Sequence, residues 1–232
     1  MTMTIAHRGE PRGHRENTLP AIQAGVDAGA DMVEIDLRLT ADGQLVLLHD
    51  PTLQRLWGDP RPVAEVPFAD LAAAHRRPSA EWSVPTLDEA LDLIVALDSR
   101  FMLDVTSVPI GLATHAAVQA RGVSDRALYA GETKALAAIR ERQPDAEIAL
   151  SWGSATPPDD DVWTRVAPQY FNPEWVLLDE EIVTRTHAAG RLVSTWTVDD
   201  PDQMRRLVAL GVDAIISNQI AALVGVMTEA RV

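Results

Sequence analysis

Two of the six histidines in this 232-residue chain stand where short apolar runs end. His7-Arg8-Gly9 closes the run Thr4–His7, and His49-Asp50 follows the extended stretch Gln44–Leu48. Between them lie Glu16-Asn17-Thr18 and the alternating segment Val33-Glu34-Ile35-Asp36-Leu37. On a β-strand, residues two apart point to the same side, so Glu34 and Asp36 share one face and Val33, Ile35 and Leu37 the other. Two carboxylates forced together repel unless a cation or a shared proton relieves them. Hard oxygen donors of this kind suit Mg2+ or Ca2+. Asp104, near the end of the next apolar run, can supply a third oxygen to the same site. A pair of imidazoles flanking such a cation suits in-line displacement at phosphorus: one takes a proton from the nucleophile, the other gives one to the leaving alkoxide. The cation neutralises charge on the non-bridging oxygens, and Arg8 offers phosphate a bidentate clamp. Arg12, His14 and Arg15 make the same loop locally basic, though each alone reads as a solvated residue. His75, His115 and His187 fall at no expected strand end and read as surface or packing residues.

The elements that must position these groups follow a repeated punctuation. Amphipathic segments end in glycine and an apolar, often β-branched run follows: Gly29 before Met32–Leu37, Gly122 before Ala127–Tyr129, Gly190 before Leu192–Thr197, Gly211 before Ala214–Ser217. A glycine in the left-handed conformation closes a helix without a Cβ penalty. Helix starts agree. Asn17-Thr18 can cap a helix carrying Leu19, Ile22 and Val26 on one face, Thr86-Leu87-Asp88-Glu89 is a capping box, and Asp200-Pro201 opens a third. Adding Thr4–His7, Phe101–Val105, Glu147–Leu150 and Gln169–Phe171 gives eight expected strands, each followed by a helix. That pattern predicts a (β/α)8 barrel of the TIM type. An open doubly wound sheet fits less well, because no Gly-x-Gly-x-x-Gly follows the first strand. Residues 51–85 break the rhythm with six of the fifteen prolines. Their density argues for a long loop or small insertion after the second strand, on the face where barrel active sites are built. The expectation is one domain spanning residues 1–232.

Composition narrows the partners. With 20 Lys+Arg against 34 Asp+Glu the formal charge is −14, which disfavours nucleic acid and anionic membrane surfaces. Without cysteine there is no thiol nucleophile, disulfide or zinc-thiolate site. No apolar run approaches the ~18 residues of a membrane-spanning helix, and Met1–His7 carries no secretory pattern. These features lead to the expectation of a cytoplasmic protein acting on a small molecule.

The motifs His7-Arg8-Gly9, Glu16-Asn17-Thr18, Glu34-x-Asp36, Asp42-Gly43 and His49-Asp50 resemble those of the glycerophosphodiester phosphodiesterase family. So do Pro85-Thr86-Leu87-x-Glu89-x-Leu91, Trp196-Thr197-Val198-Asp199 and Gly211-Val212-Asp213-x-Ile215 further on. The resemblance implies a TIM barrel that uses a divalent cation to hydrolyse glycerophosphodiesters to an alcohol and glycerol 3-phosphate. Carried over by position, it implies His7 and His49 as acid/base pair, Glu34, Asp36 and Asp104 as metal ligands, Arg8 as a phosphate contact and Trp196 as an aromatic wall. Two places depart from the family pattern. Its third strand usually ends Glu-x-Lys where this chain has Asp104-Val105-Thr106, and Ala130-Gly131-Glu132 replaces a Ser-Phe. Thr106 removes a positive charge, so Thr106→Lys is expected to give equal or better turnover. Alternatives are a phospholipase D-like activity on lysophospholipids and a non-catalytic barrel that binds a phosphorylated ligand.

Overall fold

A computed structural model describes residues 2–75 and 83–229. Its strands are β1 (Met3–His7), β2 (Met32–Leu39), β3 (Leu45–Leu47), β4 (Phe101–Val105), β5 (Ala127–Gly131), β6 (Glu147–Trp152), β7 (Tyr170–Pro173), β8 (Leu192–Thr195) and β9 (Ala214–Ser217). Among the described residues β1, β2, β4, β5, β6, β7, β8 and β9 pair in parallel in that order, and β9 returns to β1. This is the expected closed eight-stranded barrel. β3 lies outside the ring as an antiparallel partner of β2, with Leu37 opposite Leu47.

The period-two pattern of the strands divides the apolar residues into two sets. Val33, Ile35 and Leu37 face outward into one large cluster with the helices, alongside Phe101, Leu103 and Tyr129. Ile5, Met32, Met102, Leu128, Ala149, Tyr170 and Ile216 face inward and fill the barrel. Each fully buried aliphatic side chain in these layers contributes ~1.5–3 kcal/mol relative to exposure. Above this apolar plug, toward the C-terminal ends of the strands, the inward positions turn polar: Glu34, Asp36, Asn172 and Ser194 are all buried.

The barrel helices begin where their capping chemistry dictates. Thr18 caps α1 (Leu19–Asp27) by accepting from Ala21 N–H. Thr86 and Glu89 form the reciprocal capping box of α4 (Leu87–Ala96). The segment between β3 and α4, a long loop or small insertion by its proline density, contains short helical pieces. It carries α2 (Gln54–Trp57), a single 3-10 turn at Val63–Glu65 and α3 (Phe68–His75). Its prolines sit before these pieces and not inside them: Pro62 caps the 3-10 turn and Pro67 immediately precedes α3. There the fixed ring torsion is compatible with helix and the missing N–H costs nothing. Val46, Leu48, Leu53, Val63, Val66, Leu71 and Val84 form a cluster under this excursion. Pro78 and the side chain of His75 lie outside the described residues.

Among the remaining helices, α5 (Val108–Arg121) ends on left-handed Gly122, as expected, and α9 (Pro201–Ala209) starts at Asp200. α6 (Thr133–Arg142), α7 (Asp160–Val166), α8 (Glu180–Ala188) and α10 (Ile220–Glu229) complete the outer layer.

Candidate active site

At the C-terminal mouth of the barrel a cavity of about 260 Å3 is lined by His7, Arg8, Glu34, Asp36, His49, Asp104 and Trp196, together with Met102, Ala130, Ser151, Asn172, Thr197 and Ile216. All seven residues singled out in the sequence therefore reach one space. Strand register brings them there: His7 lies opposite Glu34, and Asp36 opposite Asp104.

Arg8 organises the acidic side. Its backbone is left-handed (φ 58°), a conformation costing a non-glycine residue of order 1–3 kcal/mol. That turn aims the Arg8 N–H at Glu34 Oε2, 3.0 Å away, and sets Arg8 Nε 3.0 Å from Asp36 Oδ2. Gly9 must follow, because a Cβ there would stand 2.4 Å from the Ala21 carbonyl carbon. Asn17, also left-handed, donates from Nδ2 to Asp36 Oδ2 at 2.7 Å and accepts from the Asp36 N–H at 3.1 Å. In the motif Glu16-Asn17-Thr18 only Thr18 caps the helix, whereas Asn17 fixes Asp36 and Glu16 binds Arg8 at 2.9 Å.

Glu34 and Asp104 carry the electrostatic mark of crowding. Burial, then the charges of Asp36 and Asp104, push Glu34 well above the ordinary glutamate value. Burial and Asp36 push Asp104 up to about 6, against the pull of His49, Arg38 and Arg8. Hard oxygen donors that resist ionising together have the right chemistry for a divalent cation. Among the described residues, however, no three His, Asp or Glu side chains are gathered closely enough to hold one. The Arg8 guanidinium stands among these acids and supplies the compensating charge.

The imidazoles differ in setting. His7 Nδ1 lies 2.7 Å from Asn218 Oδ1. Asn218 Nδ2 donates to Asp199 Oδ2 at 2.8 Å, so its oxygen is the atom that faces His7, and the His7 proton resides on Nδ1. Burial and the adjacent Arg8 charge lower the His7 pKa, leaving Nε2 a bare acceptor, 3.9 Å from Glu34 Oε2. His49 is about half exposed and its Nδ1 lies 2.7 Å from Asp50 Oδ1. Arg55, hydrogen-bonded to Asp50, overrides the effect of that carboxyl's burial and holds its pKa down to about 2.

The opposite wall is neutral. Ser151 Oγ accepts from Gly131 N–H at 3.1 Å and from Asn172 Nδ2 at 3.2 Å, which leaves its own proton for an acceptor in the cavity. Ser194 donates to Asn172 Oδ1 at 2.9 Å. Trp196 spends its N–H on the Asn172 carbonyl at 2.9 Å, so it brings ring surface to the cavity and no donor.

Arg38 and Arg55 are among the groups that reading the sequence missed. Arg38 donates from Nε to the His49 carbonyl at 3.0 Å and from Nη1 to Thr106 Oγ1 at 2.9 Å, so a cation already stands beside Thr106. The one signal for Arg38 was its place two residues beyond Asp36 on the same strand. Glu132, an acid at the departure after β5, turns away from the mouth: it caps α6 by accepting from Ala135 N–H at 2.8 Å.

A barrel with acids, two imidazoles and a guanidinium at its C-terminal mouth defines a hydrolase of the phosphoryl-transfer type. Residues 7–222 match the model of the glycerophosphoryl diester phosphodiesterase family. The chain belongs to that family, whose activity is the hydrolysis of glycerophosphodiesters. It is 25% identical to a glycerophosphodiester phosphodiesterase of Caldanaerobacter subterraneus subsp. tengcongensis, over 98% of each chain. It is 27% identical to one of Bacillus altitudinis, over 94% of this chain and 95% of the other. A phosphodiesterase of Oleispira antarctica, solved with its product sn-glycerol-3-phosphate, has the same fold: TM-score 0.89, 21% identity, 98% of this chain and 97% of that one. Among the described residues no helix is long and apolar enough to cross a membrane.

Proposed function

We propose that the chain cleaves glycerophosphodiesters to an alcohol and glycerol 3-phosphate with His7 as general base and His49 as general acid, in a divalent-cation-dependent reaction. The observation that carries this reading is the 2.7 Å contact of His7 Nδ1 with Asn218 Oδ1, which places the ring proton on Nδ1 and leaves Nε2 as the acceptor, while burial lowers the ring's pKa. His7 Nε2 takes a proton from water as the water oxygen attacks phosphorus. The bond from phosphorus to the alcohol oxygen breaks, and His49 gives that oxygen its proton from Nε2. The Asp50 carboxylate faces the other nitrogen of the His49 ring and orients it. Arg8 contacts a non-bridging oxygen. Glu34, Asp36 and Asp104 are the oxygen donors that line the cavity, and they would have to draw closer together to hold Mg2+ or Ca2+; such a cation, when bound, would neutralise charge on the phosphoryl oxygens. Ser151 and Asn172 read the glycerol hydroxyls against the ring surface of Trp196. Both imidazoles and all three acids lining one cavity support turnover over a binding-only barrel.

The test is hydrolysis of glycerophosphocholine with Mg2+ or Ca2+, with products identified. Wild type should release choline and glycerol 3-phosphate, while His7→Ala and His49→Ala each lower kcat/KM by about 10²–10⁴-fold. A variant that keeps wild-type activity, release of phosphocholine, or turnover of lysophosphatidylcholine alone sinks the reading.

A further inference from the structure

Among the described residues of the excursion after β3, Arg55 ties back to the groups of the mouth. Arg55, on α2, makes four hydrogen bonds to two carboxylates. Nε and Nη2 donate to Asp50 at 2.6 and 3.1 Å; Nη1 and Nη2 donate to Glu16 at 2.9 and 2.6 Å. Asp50 holds the His49 ring at 2.7 Å and Glu16 holds Arg8 at 2.9 Å. A single guanidinium therefore joins both arms: His49, Asp50, Arg55, Glu16 and Arg8 form one continuous chain around the rim.

We propose that Arg55 is a positioning residue for diester hydrolysis, which fixes the imidazole of His49 and the guanidinium of Arg8 in one frame through Asp50 and Glu16. The proposal rests on the reading that His49 and Arg8 act on the diester. Packing does not hold Arg55 or His49 in place, since their side chains are 45% and 46% exposed, whereas Arg8 is mostly buried and is also paired with Asp36. Exposed side chains of this length sample many rotamers, and only paired, directional bonds select one. The backbone that presents Arg55 is anchored separately. Leu53 is fully buried, and Arg15 stacks 4.5 Å over the Trp57 ring while donating to the Leu56 carbonyl. Without Arg55, Asp50 and Glu16 lose their common cation and His49 loses the support of its orienting carboxylate. Exposed ion pairs contribute little to folding, whereas a misplacement of ~1 Å at a reacting group can cost about 10²-fold in rate. Loss of rate without loss of fold is thus the signature.

The experiment compares Arg55→Ala, Arg55→Lys, Asp50→Ala and the Arg55→Ala/Asp50→Ala double variant on glycerophosphocholine, with His49→Ala as control and thermal melts of each. Arg55→Ala is expected to lower kcat by about 10–10²-fold, with KM within about threefold of wild type and melting nearly unchanged. Arg55→Lys, which keeps the charge but not the fork, should recover part of the loss. The double variant should be no slower than the poorer single one, because both break the same link. The proposal is overturned by a kcat for Arg55→Ala within about twofold of wild type, by a loss confined to KM, by additive losses, or by losses that track the unfolded fraction. If His49→Ala stays active, the acid/base reading falls and takes this proposal with it. If His49→Ala is inert while Arg55→Ala is normal, only the positioning role falls.

Discussion

At the scale of single residues, the proposed reading of the glycerol end rests on the neutral wall of the cavity. Ser151 has both acceptor positions filled by Gly131 and Asn172, so its proton is the one donor it can offer a ligand. A hydrogen bond to a glycerol hydroxyl is worth ~1 kcal/mol net. Ser151→Ala should therefore lower kcat/KM on glycerophosphodiesters by roughly 5–10-fold. Turnover of bis(4-nitrophenyl) phosphate, which has no glycerol, should change little; an equal loss on both substrates would refute the assignment. The contrast between the two walls also explains what was legible beforehand. Glu34 and Asp36 could be placed on one inward face because strand periodicity is local, and His7 and His49 because they end apolar runs. Ser151, Asn172, Asn218, Arg38 and Arg55 could not. Their neighbours come from other strand ends or from the excursion, and only closure of the barrel tells which ends meet.

Among elements, the β1–α1 turn is where geometry is least forgiving. Gly9 has φ +86° and a Cβ would meet the Ala21 carbonyl carbon at 2.4 Å and Ile22 N at 2.7 Å, all backbone atoms that cannot swing aside. Gly43, in the β2–β3 turn, has φ +82° but nothing within 4 Å. Gly43→Ala then bears only the left-handed penalty, about 1–2 kcal/mol. Gly9→Ala adds displacement of α1 from β1 and is expected to cost upwards of ~3 kcal/mol, with Arg8 and Asn17 shifted from the acids. Urea midpoints of the two variants test this, and equal shifts would contradict it. Helix starts such as the Thr86–Glu89 box were readable because capping is chemistry between residues three apart. The helical pieces of the excursion were not: proline density disguised turns that begin just after Pro62 and Pro67, and whose Val63 and Leu71 cluster with Val46 of β3 and with Leu48.

For the whole molecule, the crowded acids are a source of instability with a defined pH window. Asp104 titrates at about 6 in the fold against 3.8 as a free side chain. Between those values the folded chain holds a proton that the unfolded chain has released, so this group's contribution to stability falls as pH rises and stays lost above about 6. At one pKa unit per ~1.4 kcal/mol the loss approaches ~3 kcal/mol. Glu34, raised by burial and the same neighbours, acts in the same direction. Groups with lowered pKa values oppose it: His7, lowered by burial, and His115 lose stability as pH falls below the usual 6.5, and Asp50, held at about 2 by Arg55, does so only in acid, as do Glu16 and Asp42. Comparing wild type with Asp104→Asn isolates the one contribution. In the absence of divalent cation the variant should be close to wild type at pH 4 and more stable than it at pH 7.5, by up to ~3 kcal/mol in denaturant unfolding. Adding Mg2+ or Ca2+ at pH 7.5 should raise wild type more than the variant, because a ligand bound only by the folded chain stabilises it by mass action. A cation-free wild type more stable than Asp104→Asn at pH 7.5 would mean that Arg8 and Arg38 already neutralise the acids, and that the mouth is built to work without a second cation.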